Sequence, residues 1–96
     1  MKMAIPLATR QAVMTVFRVH YPGTPAEAGQ ALVAYARERG LTDRASALPG
    51  ETLRHWATDD KAPLWAVTAA ALWLDERSVQ PTDPAEKAAL TAVLTA

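Results

Sequence analysis

The sequence predicts an all-α fold: a compact bundle of five to six helices around one central apolar helix, residues 63–76. Three observations predict it. Pro63 to Leu74 holds two of the three tryptophans, and Thr68 is its one polar side chain. Apolar positions therefore run almost all the way round, as in a helix buried on most sides. Thr24-Pro25-Ala26-Glu27 and Asp83-Pro84-Ala85-Glu86 each place a capping residue, a proline and an N3 glutamate at a helix start. Runs of β-branched residues are missing, so no strand is expected.

The first helix is expected over Ala8 to His20, where Val13, Val16, Phe17 and His20 fall at i, i+3, i+4 and i+7. Thr9, Arg10, Gln11 and Arg18 lie off that stripe. Tyr21-Pro22-Gly23 stops it, because proline disfavours the helical state of the residue before it. Thr24 opens the second helix through a capping box. Ala28, Leu32, Tyr35 and Ala36 form its buried face, and Gly40 stands where a left-handed residue ends a helix, with Leu41 folding back. Thr42 to Leu48 predicts a short helix closed by Pro49-Gly50.

Glu51 to Thr58 predicts two further turns. Leu53, Trp56 and Ala57 face inward, and Glu51, Arg54, His55 and Thr58 share the opposite, polar face at i, i+3, i+4 and i+7. Asp59-Asp60-Lys61 is a loop, and Pro63 opens the central helix, which holds the Leu53–Trp56 segment from behind. Ser78 to Thr82 breaks the chain. Asp83 then caps a last helix with a thin stripe of Leu90, Val93 and Leu94. Residues 1–96 read as a single helical domain, with 79–96 a candidate dimerisation or tail helix.

Composition narrows the function classes. Half of the residues are hydrophobic and 21% are charged, which is globular. The absence of cysteine removes disulfides, thiolate nucleophiles and zinc-thiolate sites, and fits a reducing cytoplasm. No signal peptide is expected in Met1 to Leu7, because Thr9, Arg10 and Gln11 interrupt the short apolar run. The longest apolar run, Ala62 to Leu74, is 13 residues, against about 20 for a membrane span. A cytoplasmic chain with no membrane partner is expected. Net charge is zero, yet residues 1–56 carry seven basic against four acidic side chains and residues 57–96 carry three against six. Such a split can offer a basic face to an acidic partner, or arise by chance.

No Gly-rich phosphate loop or nucleophile motif is present, so no catalytic residue, cofactor or enzyme activity is expected. His55 with Asp59 and Asp60 lacks a third ligand, so no metal is expected. Trp56, Trp65 and Trp73 read as core, with Trp65 and Trp73 eight apart and near enough to two turns to share a face. The polar helix is the candidate site. Read against DNA, Arg54 suits guanine, Thr52 and His55 reach bases or phosphate, and Lys61 reaches backbone. The candidate set is Arg44, Glu51, Thr52, Arg54, His55, Thr58 and Lys61.

The run Thr52-Leu53-Arg54-His55-Trp56, a polar loop, then Pro63 and the apolar helix through Leu72 resembles the Cro/repressor-type helix-turn-helix family of small phage and plasmid regulators. The likeness covers residues 41–74. It implies a DNA-binding transcription regulator with a recognition helix backed by an apolar one. Two registers are open. Either Glu51 to Thr58 is the recognition helix, or Ala36, Gly40, Leu41 and Thr42 supply the helix and turn, so that Asp43 to Leu48 begins it. The upstream Ala and turn Gly of the family do not fit the first register. Partners expected are double-stranded DNA and a second copy of the chain, paired through the last helix or Val13 to Phe17. The alternative is a small helical module that binds a protein, such as a phage- or plasmid-encoded inhibitor or adaptor.

Overall fold

A computed structural model describes residues 5–44, 48–58 and 62–95. They form five helices: α1 Leu7–His20, α2 Pro25–Glu38, α3 Gly50–Trp56, α4 Leu64–Glu76 and α5 Pro84–Thr95. No strand occurs among the described residues. The Cα radius of gyration is 12.1 Å, close to the roughly 12 Å expected for this length.

Helix ends follow local hydrogen bonding. Thr24 accepts from Glu27 N at 3.1 Å while Glu27 Oε1 accepts from Thr24 N at 2.9 Å, the reciprocal capping box. At the other end of α2, Leu41 N donates to Ala36 O and Gly40 N to Arg37 O, a Schellman motif with Gly40 at φ 69°. α4 ends the same way: Val79 N donates to Leu74 O, Ser78 N to Asp75 O, and Ser78 takes the left-handed φ of 55°. Asp83 Oδ1 accepts from Ala85 N at 3.0 Å, so its cap bond reaches the second helical residue.

α4 is the centre. It packs against α1, α2 and α5, and Ala66, Val67, Ala69, Ala70, Ala71, Trp73 and Leu74 are buried. Its four buried alanines let neighbouring backbones approach, and the bulk comes from those neighbours: Val13, Met14, Val16 and Phe17 of α1, and Leu32 and Val33 of α2. A fully buried Phe17 or Leu32 contributes about 1.5–3 kcal/mol relative to exposure. α5 lies on α1 and α4 through Ala89, Leu90 and Val93. Among the described residues no polar or charged residue is buried.

Four expectations change. His20 sits on the predicted apolar stripe of α1 but is exposed, its Nδ1 turned to Val16 O at 2.9 Å; Met14 is buried beside the stripe instead. The short helix predicted over Thr42 to Leu48 is not seen at Thr42, Asp43, Arg44 or Leu48, and Ala45, Ser46 and Ala47 lie outside the described residues. Thr42 Oγ1 accepts from Arg44 N at 3.2 Å, a local bond that competes with helix formation. Asp43 and Arg44, where the second register begins its reading helix, are not helical. Trp65 and Trp73 serve separate clusters: Trp65 meets Trp56, whereas Trp73 meets Phe17 and Tyr21. Finally, α3 rests mainly on α2 and then on α1, not chiefly on α4; the Trp56–Trp65 contact links it to α4.

Candidate nucleic-acid interface

α3 is seven residues long, about 10 Å. Pro49 begins it with an extended backbone, ψ 145°, and its carbonyl accepts from Thr52 N at 3.1 Å. The approach to α2 is close. A Cβ on Gly29 would lie 2.7 Å from Leu48 O, so only glycine fits there and the lead into α3 is pressed onto α2. Leu53 and Ala57, four apart, are buried and form the inner face. Trp56 is half-buried and meets Trp65 edge-on, centroids 6.0 Å apart at 84°.

The outer face carries Glu51, Arg54, His55 and Thr58, all exposed, as the helical spacing predicts. His55 is 63% and Glu51 72% exposed at the side chain, with Nε2 and Oε1 3.9 Å apart. That separation exceeds a hydrogen bond, and so much exposure leaves the pair worth little. Glu51 nevertheless sets one negative charge beside Arg54 and His55. The Thr58 hydroxyl donates to Arg54 O and His55 O, each at 3.2 Å, and closes the C-terminal end of α3. Its proton is used within the chain, and its oxygen is left as an acceptor. Thr52 is only half-exposed. Arg44 is exposed in the loop before α3, and Lys61, like Asp59 and Asp60, lies outside the described residues.

The periodicity of α1 did not reveal that its polar residues grip this region. Gln11 Nε2 and Thr15 Oγ1 both donate to Ala57 O at 3.2 Å, and Arg10 donates to Ala62 O at 3.3 Å. The only hint in the sequence is that Gln11 and Thr15 are four apart, on one side of the apolar stripe.

A second polar cluster joins the C-terminal ends of α2 and α4. Tyr35 and Arg39 both donate to Glu76 Oε2, and the Arg39 guanidinium lies 3.7 Å above the Tyr35 ring centroid. Burial, then the bond to Glu76, pushes the Tyr35 hydroxyl up to about 12. The Tyr35 hydrogen bond in turn holds Glu76 below its usual carboxylate range, with Arg39 acting in the same direction. Arg77 stacks 4.0 Å above Trp73. This cluster ties two helix ends together. An open groove of about 400 Å³ between α1 and α5 is lined by alanines and Thr9, with no titratable side chain among them. Among the described residues no helix is long and apolar enough to cross a membrane.

Compared with family models, curated proteins and solved structures, the chain matches none.

Proposed function

We propose that this chain is a sequence-specific, double-stranded-DNA-binding transcription regulator that reads the major groove with α3. One observation carries the reading: a short helix clamped by its apolar face presents Arg54 and His55 outward. Direct readout needs a rigidly backed helix with a few long polar side chains at its surface. In this reading Arg54 pairs with guanine, Glu51 accepts from cytosine, His55 and Thr52 reach base or phosphate, and Arg44 and Lys61 hold the backbone. Thr58 keeps the helix end closed. The protein acts in the cytoplasm as a homodimer on paired half-sites, as small phage and plasmid regulators do.

The test is a mobility shift with a fragment from upstream of the gene itself at moderate salt. A retarded band is expected for the native chain, and Arg54→Ala should abolish it at unchanged melting temperature. Absence of a shift, or an Arg54→Ala protein that binds as well as the native one, overturns the reading. A second reading, a protein-binding module, is favoured by the zero net charge, by Glu51 on the same face and by Leu64, 36% exposed beside the half-buried Trp65. It gains if the DNA assay is negative and Leu64→Ser abolishes capture of a protein partner.

A further inference from the structure

Two side chains of α1 converge on one carbonyl. Gln11 and Thr15, a helical turn apart, each donate to Ala57 O at 3.2 Å. Arg10 beside them donates to Ala62 O at 3.3 Å and to Ile5 O at 3.0 Å. Ala57 and Ala62 bracket the connection from α3 to α4, so both ends of that connection are fastened to α1. Ala57 is the residue that ends α3, where helix carbonyls turn to partners outside the helix.

Seven residues are too few for a helix to hold its own shape, since isolated helices under about 12 residues are marginal. The inner face of α3 supplies Leu53 and Ala57 as buried anchors. Leu53 and Ala57 lie one turn apart on one side, and Trp56 meets Trp65 edge-on, so the apolar contacts of α3 are few and non-directional. Donors from α1 that hold the Ala57 carbonyl add a directional contact at that end, which apolar packing alone does not supply. We infer that Arg10, Gln11 and Thr15 are positioning residues: they set the attitude of α3 without touching its partner. The effect on DNA affinity rests on the regulator reading; the fastening itself does not.

Residue-resolved amide exchange on the full chain tests it, comparing the native protein, Thr15→Val, Gln11→Leu/Thr15→Val, and Thr15→Ser as the variant that keeps the hydroxyl. Losing both donors should speed exchange of the α3 amides about tenfold, the effect of one to two net hydrogen bonds. Buried amides of α2 and α4 should be unchanged, and Thr15→Ser should behave like the native chain. The double variant should also bind DNA about tenfold more weakly with the same base preference, whereas Arg54→Ala should alter that preference. Unchanged exchange in α3, or exchange accelerated equally in α2 and α4, overturns the inference. If no form of the protein binds DNA, the regulator reading falls, and the exchange data still decide whether α1 holds α3.

Discussion

Ser78 adopts φ 55° to end α4, a conformation that costs an L-residue roughly 1–2 kcal/mol and glycine little. Gly40 performs the same task after α2 with the suitable residue. Ser78→Gly should therefore stabilise the chain by about 1 kcal/mol, which for a domain of this size raises the melting temperature by roughly 4–8 °C in a thermal scan. Tyr35 and Glu76 make stability depend on pH at both extremes. Glu76 has a lowered folded-state pKa, so its contribution is present above the unfolded carboxylate value and is lost as pH falls through the folded one. Tyr35 has a raised value, about 12 against 10.0, so its contribution is complete below pH 10 and drains away as pH rises toward 12. Tyr35→Phe should lessen the alkaline decline in melting temperature and also weaken the acid dependence, because Glu76 loses the bond that depresses it most. Equal pH profiles for the two proteins would contradict this.

At the scale of elements, α3 depends on its neighbours in a way its own residues do not show. Gly29→Ala improves helix propensity by nearly 1 kcal/mol, yet the new methyl meets the Leu48 carbonyl at 2.7 Å, and backbone cannot swing aside as a flexible side chain does. Overpacking of this kind costs about 1–3 kcal/mol, so net destabilisation is expected in denaturant titration. Under the proposed regulator reading, a helix displaced from α2 should also bind DNA more weakly than the stability loss alone explains. The polar face of α3 was legible from spacing, since four exposed residues follow the 3.6-residue period. Two details were not. Thr58 donates to carbonyls of its own last turn, and Thr52 is half-covered, because both depend on where the chain goes after and around the helix.

For the whole molecule, the charge split between residues 1–56 and 57–96 does not make two lobes. α1 packs on both α4 and α5, so the basic and acidic portions of the chain are interleaved in space. If the chain is the regulator proposed above, its long-range attraction to DNA is correspondingly modest. With Arg44 and Lys61 as the phosphate contacts, the logarithm of the binding constant should fall with the logarithm of salt at a slope of about −2 per protomer. A slope near −6 would require basic residues remote from α3. The docking of α5 on α1 gives a further expectation. A chain ending at Ser78 uncovers the α1 surface now packed against Ala89, Leu90 and Val93 and should melt well below the full chain, or fail to fold.

The sequence by itself determined the helices and their ends. The capping box at Thr24, the Gly40 terminus and the breaker after Glu76 all arise between residues a few positions apart, so their chemistry can be read along the chain. It also determined the apolar character of α4, which no arrangement could leave exposed. Tertiary structure alone decided which polar side chains of α1 would grip the end of α3, why Gly29 must lack a side chain, and that Trp65 and Trp73 serve different clusters. Those outcomes turn on contacts between residues distant in sequence, whose geometry exists only once the helices have packed.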